Sequence, residues 1–253
     1  MSVLARRGGR GRKVGIGASG DTTIYADKRA EDELLEYLGR VDGVRVLTEE
    51  AGEVGDIEGE TLAIVDPLDG SSNFERGVPF YCTSVAIAEG QSLDDISVGV
   101  VRNLVTGDAY SAVRGGGARK NGRRIRTSPT KAAASAVAGV DLSRSGALLV
   151  SRLGPLIAGL KRQVHFGANA LELCFLAEGK TDAFVDIRGR IRVTDFAGGY
   201  LIAKEAGAVF TDENGTKLSP PFDLEHRFSF VASAGLPLHK EILNLCGHKN
   251  GGW

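Results

Sequence analysis

Hydrophobic and polar residues follow helical and strand periods along most of this chain. Apolar residues recur every three or four positions over residues 27–38, which predicts a helix. Asp27 stands where it can cap the start of that helix, and Gly39 ends the pattern. The glycine-rich segment Gly15–Asp21 before it has no such period, so we expect a flexible loop there.

The remaining pattern predicts a mixture of strands and helices. Strands are expected at 44–47, 61–65 and 81–88, with a hairpin at 96–102 and 108–113 and a tight turn at Asn121-Gly122. Further on, strands at 135–140, 164–166, 182–187, 209–210 and 228–232 alternate with helices within 146–160 and at 170–177, 195–206 and 237–246. This order predicts an α+β fold in which helices cover mixed sheets.

A polar segment around Thr127–Lys131, which contains Pro129, is the predicted boundary between two lobes. The N-terminal lobe, residues 1–128, would carry a first acidic motif, and the C-terminal lobe, residues 129–253, a second motif and the substrate pocket.

Acidic residues follow two of the predicted strands directly. Glu49 and Glu50 come after one strand, and Asp66 and Asp69 come after the next. Ionised carboxylates that are close together repel one another and lose water as a site closes, so proteins usually neutralise them with divalent cations. The plainer alternatives are a solvated strand end at Glu49-Glu50 and an Asx-type turn at Asp66–Gly70.

The acidic set contains only oxygen donors. Asp195 at a predicted helix start would join it, and the four histidines share no ligand spacing. Such a set selects Mg²⁺ or Mn²⁺ rather than zinc, with Mg²⁺ the default. Gly70 permits close backbone approach, and the amides after it suit a phosphate if they open a helix. The parts fit attack of metal-activated water on a phosphoryl group, although Asp27 and Asp195 are equally compatible with simple helix caps.

Composition narrows the function classes. The chain has 253 residues, is 42% hydrophobic and carries a formal net charge of −1, which argues against nucleic acid or an anionic membrane as a partner. The basic residues at 6–13 are interpreted as a solvated arm. No apolar run approaches the roughly 18 residues of a membrane span. Three separated cysteines without a CxxC pair indicate buried, reduced thiols and a cytoplasmic protein.

Two motifs resemble those of the inositol monophosphatase / fructose-1,6-bisphosphatase family, specifically its archaeal members with both activities. They are Val65-Asp66-Pro67-Leu68-Asp69-Gly70-Ser71-Ser72-Asn73-Phe74 and Asp195-Phe196-Ala197-Gly198-Gly199 through Glu205-Ala206-Gly207-Ala208. The match extends from about Gly17 to Leu245. The resemblance implies an αβαβα sandwich of the sugar-phosphatase type, a lithium-sensitive, metal-dependent phosphatase and a homodimer.

The resemblance also implies a ligand set for two or three Mg²⁺ ions. Glu49, Asp66 and the Leu68 carbonyl would hold the first ion. Asp66, Asp69 and Asp195 would hold the second, and Glu49 with waters a third.

Catalytic and substrate-binding roles follow from the same resemblance. Ser71 with Asp27 would orient and activate the attacking water, and the amides of Gly70 and Ser71 would receive the phosphate. The residues that match the substrate segment are Gly167, Ala168 and Asp186 for hydroxyl groups, and Arg188 or Arg192 for a second phosphate. Pairing of Asp186 with Arg188 at a strand end is the structural alternative.

The sequence departs from the family pattern at several positions. Ser71 stands where many members have Thr, which keeps the hydroxyl, and Thr194 stands where many have Trp. Asp186 stands where some members have Glu, and Ala18 and Ser19 occupy a loop in which many place a Lys.

The expected function is therefore a Mg²⁺-dependent phosphomonoesterase acting on inositol-1-phosphate and fructose-1,6-bisphosphate. A phosphatase for a nucleotide such as 3′-phosphoadenosine 5′-phosphate or NADP is an alternative within the same chemistry. Aromatic residues are only 6% of the chain, with Phe184 and Phe196 the ones close to Arg188, which favours sugar phosphates. A non-catalytic sugar-phosphate-binding module is the alternative of a different class.

Overall fold

The computed structural model describes residues 11–20 and 22–247. Most of the predicted basic arm lies outside these residues. The helices are α1 (Tyr25–Leu38), α2 (Ser71–Arg76), α3 (Ala147–Gly159), α4 (Asn169–Ala177), α5 (Ala197–Ala206) and α6 (Leu236–Leu245). The strands of the first half are β1 (Lys13–Ile16), β2 (Thr22–Ile24), β3 (Val44–Thr48), β4 (Gly52–Gly55), β5 (Thr61–Asp69), β6 (Cys82–Ala88), β7 (Ile96–Asn103), β8 (Ala109–Val113), β9 (Gly117–Lys120) and β10 (Arg123–Arg124). Those of the second half are β11 (Val137–Val140), β12 (Arg162–Val164), β13 (Ala183–Ile191), β14 (Val209–Thr211) and β15 (Phe228–Ser233).

The strands form two large sheets and one hairpin. The eight-stranded sheet has the order β10-β9-β8-β7-β6-β5-β3-β4, and the five-stranded sheet has the order β12-β11-β13-β15-β14. Both sheets are mixed, since β3 is parallel to β5 and β11 is parallel to β12 and β13, while their other pairs are antiparallel. The α+β prediction is confirmed.

Helices and sheets alternate in five layers because side chains alternate along the strands. In β5, Ile64 packs into the middle layer with α4 and α5, whereas Val65 packs on the side of α1. In β13, Phe184 faces the same middle layer, and Val185 faces α3 and α6. The order α1, eight-stranded sheet, α4 and α5, five-stranded sheet, α3 and α6 is the expected αβαβα sandwich.

In the sequence, the strands of the eight-stranded sheet precede residues 127–131, where the lobe boundary is expected, and those of the five-stranded sheet follow them. The largest hydrophobic cluster nevertheless contains residues from both halves, among them Ile64, Tyr110, Leu173 and Phe230. The three cysteines are free and buried, as expected.

Several local predictions need correction. Asp27 is not the N-cap residue of α1, because the helix begins at Tyr25; it lies at the third helical position, and its carboxylate accepts the Ile24 N–H at 3.1 Å, as the N3 residue of a capping box does. Asp195 precedes α5 rather than opening it. Within the segment expected to be a flexible loop, residues 15–20 belong to the hairpin of β1 and β2, which are paired antiparallel, and Asp21 lies outside the described residues. The turn at Asn121-Gly122 is confirmed, with φ of 49° and 78°.

Candidate metal and phosphate site

Asp66 and Asp69 lie at the end of β5, where the pairing of that strand with β6 becomes irregular. Asp66 pairs with Ser84 and Asp69 with Cys82, so β5 contains one extra residue. Pro67 lies within this bulge and has no N–H to donate to a neighbouring strand. Asp66 Oδ1 accepts the Leu68 N–H at 3.0 Å, so the Asx-type turn is present together with the acidic cluster.

The parallel pairing of β3 and β5 places Glu49 near Asp66. Thr48 pairs with Val65, which places the residues that follow them at the same sheet edge. Asp195 reaches this edge from the turn before α5. One carboxylate oxygen from each of Glu49, Asp66 and Asp195 lies within 4.8 Å of the others. The structure therefore brings together acidic residues from three distant parts of the chain.

Burial and mutual repulsion make this group unfavourable when all its members are ionised. Burial raises the pKa of Asp66 well above its usual value, and the charges of Asp69, Glu49 and Asp195 raise it further. Burial also raises the pKa of Asp195 to about 6, against the opposing charge of Arg192. A divalent cation would reverse these shifts by favouring the ionised form. The oxygen-only set thus fits a hard cation.

Asp69 makes a different set of contacts from the other acidic residues. Its Oδ1 accepts the Asn169 N–H at 3.1 Å and its Oδ2 the Ala170 N–H at 2.8 Å, while Cys82 Sγ donates at 3.4 Å. These amides belong to the first turn of α4, which has no side-chain cap of its own. Burial raises the pKa of Asp69 to about 7 despite these hydrogen bonds. Asp69 therefore caps α4 beside the three-carboxylate group, and its role as a metal ligand stays a prediction.

A polar cavity of about 430 Å³ contains the acidic group. Its lining includes the predicted residues Asp27, Glu49, Asp66, Leu68, Asp69, Gly70, Ser71, Gly167, Arg192 and Asp195. Gly70 has φ of 91°, and a Cβ there would lie 3.0 Å from the Phe80 carbonyl oxygen. Ser71 opens α2 directly after it, as the phosphate-site prediction requires.

Asp27 is buried and faces this cavity with one unsatisfied oxygen. Within the described residues its Oδ1 has no hydrogen-bond partner, whereas Oδ2 accepts the Ile24 N–H. Burial raises the pKa of Asp27 to about 7, and the charges of Glu50 and Glu49 contribute in the same direction. A carboxylate with these properties can take up a proton near neutral pH.

The turn of the β1–β2 hairpin lies against the loop that carries Glu49. The N–H groups of Ala18 and Ser19 donate to the carbonyl oxygens of Glu50 and Glu49 at 2.9 and 3.0 Å. Ser19 Oγ also donates to Glu49 Oε1 at 3.3 Å. A Cβ at Gly17 would lie 2.2 Å from Glu50 Oε2 and 3.1 Å from Glu50 Cα, so a larger residue would have to displace the Glu50 side chain.

Two substrate-segment residues are placed differently from the expectation. Asp186 is fully buried and accepts Arg188 Nε at 2.8 Å, so the structural alternative holds and its carboxylate does not reach the cavity. Ala168 is also buried, packs against the Gly70 position and does not line the cavity. Gly167 does line it, and Arg192 donates to Glu49 Oε1 at 2.6 Å.

A second cavity of about 940 Å³ adjoins the first. Residues that sequence reasoning missed line one or both cavities: Lys13, Arg144, Phe166 and Asn169. All four lie outside periodic segments or at their ends, so no hydrophobic pattern marks them. One sequence feature could have pointed to Lys13. The predicted loop lacks the lysine that many family members have, so a nearby lysine could take its place.

Comparisons with known proteins identify the family of the chain. The model of the inositol monophosphatase family matches residues 4–247. A fructose-1,6-bisphosphatase/inositol-1-monophosphatase of Archaeoglobus fulgidus is 39% identical, over 93% of this chain and 88% of the relative. A bifunctional NADP phosphatase/NAD kinase of Methanococcus maripaludis is 32% identical over 93% of this chain, which covers 44% of that enzyme. A solved inositol monophosphatase-fructose 1,6 bisphosphatase has a TM-score of 0.86 and 32% identity, over 96% of this chain and 93% of the other. The chain therefore belongs to the inositol monophosphatase family and is a phosphoric monoester hydrolase.

Proposed function

We propose that the protein hydrolyses inositol-1-phosphate and fructose-1,6-bisphosphate in a magnesium-dependent reaction. The observation that carries this proposal is the group formed by Glu49, Asp66 and Asp195, whose oxygens lie within 4.8 Å of one another in a polar cavity. The two substrates are taken from the names of the similar enzymes. Mn²⁺ is the alternative ion, since it accepts the same oxygen ligands.

Different residues around the cavity would bind the ions and the substrate. Glu49, Asp66, Asp195 and the Leu68 carbonyl would hold the ions, with Asp69 as a further ligand at the α4 end. Bound Mg²⁺ lowers the pKa of a water ligand and screens the charge on the phosphoryl oxygens. The amides of Gly70 and Ser71 would receive the phosphate.

Asp27 and Ser71 would act on the nucleophile. Both line the cavity, and the free Oδ1 of Asp27 can accept a proton that passes through the Ser71 hydroxyl. The pKa of about 7 lets Asp27 take that proton near neutral pH and release it afterwards. The residues of the chain thus supply positioning and proton transfer.

A phosphate-release panel tests the proposal. It uses inositol-1-phosphate, fructose-1,6-bisphosphate, NADP and 3′-phosphoadenosine 5′-phosphate, each with Mg²⁺, with Mn²⁺ and with a chelator. We expect release from the first two substrates with either metal and none with the chelator. Tight metal binding without release from any substrate would instead support the non-catalytic sugar-phosphate-binding module.

One observation favours a nucleotide phosphatase as the second candidate. Phe184 and Phe196 are buried in the core, so the aromatic pair considered from the sequence is not available to a ligand. Phe166 is 36% exposed, lines the larger cavity and stacks on Phe80 with ring centroids 4.9 Å apart. A base could contact its exposed part. If NADP is the better substrate, Phe166→Leu should raise its KM, while Phe175→Leu in the same aromatic cluster serves as the matched control.

Location and assembly are proposed on less direct grounds. No helix of the described residues is both long and apolar enough to cross a bilayer. The buried thiols agree with a reducing compartment, and we propose a cytoplasmic homodimer. Light scattering of the purified protein tests the dimer, and a monomer at micromolar concentration would contradict it.

A further inference from the structure

Glu31 is a buried glutamate on the same face of α1 as Asp27. The two residues are four positions apart, which places them one above the other on a helix. Glu31 is fully buried, but unlike Asp27 it does not line the cavity of the acidic group. Any effect of Glu31 on a ligand bound in that cavity must therefore pass through other residues.

Oε1 of Glu31 accepts two hydrogen bonds from the connection between β3 and β4. The donors are the Thr48 hydroxyl and the Ala51 N–H, both at 2.9 Å. These donors stand directly before and after the turn residues Glu49 and Glu50. A single carboxylate oxygen on α1 thus attaches both ends of the turn that carries Glu49.

The β1–β2 hairpin holds the same turn through its main chain. The N–H groups of Ala18 and Ser19 donate to the carbonyl oxygens of Glu50 and Glu49 at 2.9 and 3.0 Å. The main chain at Glu49 is therefore fixed both by α1, through Glu31, and by the hairpin. The Glu49 side chain extends from this turn to the acidic group.

A charged side chain at position 31 is costly for the stability of the protein. An ionised carboxylate loses its water when it is buried, and a buried apolar side chain of similar size avoids that cost. The second oxygen, Oε2, lies 3.3 Å from Nζ of Lys28, which also pairs with Asp32 at 3.0 Å and is half-exposed. Packing of α1 thus gives no reason for a glutamate here, whereas the two hydrogen bonds to the turn do.

We propose that Glu31 is a positioning residue for the metal site and that it acts through Glu49. The inference rests on the proposed function, because it takes Glu49 to be a metal ligand. Without Glu31, the hydroxyl of Thr48 is buried without its acceptor, and the turn loses its attachment to α1. Metal binding would then have to order the turn as well, which lowers the affinity.

Three variants separate the hydrogen bonds from the charge and from the packing. Glu31→Gln removes the charge but keeps Oε1, so both hydrogen bonds to the turn can remain. Glu31→Leu keeps an apolar side chain of similar size and removes both hydrogen bonds. Thr48→Val removes one donor and leaves Glu31 in place, so it tests the same contact from the other side if Glu31→Leu does not fold.

Glu178 provides the matched control for the loss of a glutamate that accepts hydrogen bonds. It is half-buried, lines neither cavity, and accepts the Tyr110 hydroxyl at 2.6 Å and Lys120 Nζ at 3.0 Å. Glu178→Leu should lower the Tm in chelator without changing the affinity for metal. A purely structural role of Glu31 would give the same result for Glu31→Leu.

Calorimetric titration with Mn²⁺ measures the affinity, and thermal unfolding in chelator measures the stability. We expect Glu31→Leu to weaken Mn²⁺ binding by about tenfold or more, as loss of outer-shell partners does elsewhere. Glu31→Gln should restore most of the affinity. Thr48→Val should weaken binding less than Glu31→Leu, because the hydrogen bond to Ala51 remains.

A double-mutant cycle tests whether Glu31 acts through Glu49. Glu49→Gln keeps one ligand oxygen and should itself weaken Mn²⁺ binding. In that background, Glu31→Leu should cost much less affinity than in the wild type, because the ligand that it positions is already impaired. Fully additive losses would mean that Glu31 affects the metal by another route, and the inference would be wrong.

The other outcomes distinguish this inference from the proposed function. If Glu31→Leu and Thr48→Val bind Mn²⁺ like the wild type, the role of Glu31 is structural, and the metal site itself is unaffected. Equal losses of affinity in Glu31→Gln and Glu31→Leu would also contradict the inference, because the charge rather than the hydrogen bonds would then matter. Absence of Mn²⁺ binding by the wild type would overturn both proposals.

Discussion

Two groups of buried or half-buried carboxylates lie beside the same pair of cavities, and they differ in how their charge is balanced. In one group, Arg188 forms ion pairs with both Asp141 and Asp186. In the other, Glu49, Asp66 and Asp195 converge, and Arg192 forms an ion pair with Glu49. A buried carboxylate without a partner is costly. The first group therefore has its counter-charge within the protein, although burial still raises the pKa of Asp186, whereas the second fits a cation from solution.

His165 extends the balanced group. Its Nδ1 lies 3.0 Å from Glu172 Oε1, and its Nε2 lies 3.5 Å from Asp141 Oδ1. Burial alone would lower the pKa of His165, but the contact with Glu172 and the charge of Asp141 outweigh it and raise the pKa. The charge of Asp141 is thus shared between an arginine and a histidine. This part of the cavity wall is held by internal ion pairs and needs no metal.

The largest expected effect comes from Asp66→Asn. We expect metal-dependent phosphate release to fall by about a thousandfold or more, because several kcal/mol of metal-derived stabilisation is lost. In metal-free buffer the variant should be as stable as the wild type or more stable, since repulsion within the group decreases.

Steady-state kinetics with Mg²⁺ and thermal unfolding in chelator check this variant. Asp94→Asn, at an exposed position that lines neither cavity, is the matched control for the kinetics. Substantial residual turnover in Asp66→Asn would contradict the central position of this residue.

The opposite effect is expected for the balanced group. Arg188→Met should lower the free energy of unfolding by about 3–5 kcal/mol, because Asp141 and Asp186 then remain buried without their partner. Urea unfolding in chelator measures it, with Arg162→Met as the exposed control. If Arg188→Met were as stable as the wild type, the two groups would not differ as described here.

The difference between the groups could be predicted only in part from the sequence. The carboxylates at strand ends are visible because β3 and β5 have local hydrophobic patterns, and parallel pairing of the strands brings their ends together. Asp69 accepts a hydrogen bond from the N–H of Ala170, which is 101 residues away in the sequence. No pattern in the sequence near either residue predicts this contact. The same holds for Arg192 and Glu49, which come from different halves of the chain.

The corrected helix boundaries show the same limit. Asp27 fits the sequence pattern of a cap, yet α1 begins two residues earlier and its carboxylate becomes part of the cavity. An aspartate that caps a helix and an aspartate that lines a site have the same side chain. Only the position of the first helical turn shows which of the two roles the residue has. Arg144 and Phe166 lie in segments without a period, where pattern analysis predicts no structure.

Asp27 resembles the unbalanced group, because one of its oxygens is buried without a partner. Asp27→Asn should lower turnover by about a hundredfold, which is typical for loss of a proton-transferring group. Ser71→Ala should lower turnover more than it raises KM. Since the two residues are proposed to act as a unit, the double variant should lose little more than the worse single variant.

Stopped-time phosphate assays at saturating Mg²⁺ measure these effects. Asp32→Asn, on the exposed face of the same helix, is the control for changes in α1. Fully additive losses in the double variant would argue that Asp27 and Ser71 act in separate steps.

The smallest expected effect is a pH dependence of stability to which the carboxylates of the acidic cavity contribute. Burial raises the pKa of Asp27 and of Asp69 to about 7, above the ordinary value of 3.8. Around neutral pH the metal-free folded protein therefore binds more protons than the unfolded chain, so its free energy of unfolding falls as pH rises. His239 has the opposite sign, because burial lowers its pKa to about 4, and its contribution is complete only about one pH unit above its ordinary pKa of 6.5.

Calorimetry in chelator between about pH 6.5 and about pH 8 measures this slope. His165 contributes with the same sign because its pKa is raised, so the comparison with Asp27→Asn separates the carboxylate from the histidine. We expect the Tm to fall across this interval by about 2–4 °C for each kcal/mol lost. Saturating Mg²⁺ should remove most of the slope, because a bound cation favours the ionised carboxylates in the folded state. Asp27→Asn should flatten the slope in chelator, while Asp32→Asn should not. A Tm that rises with pH in chelator would mean that these carboxylates are already balanced within the protein, and the contrast between the two groups would then disappear.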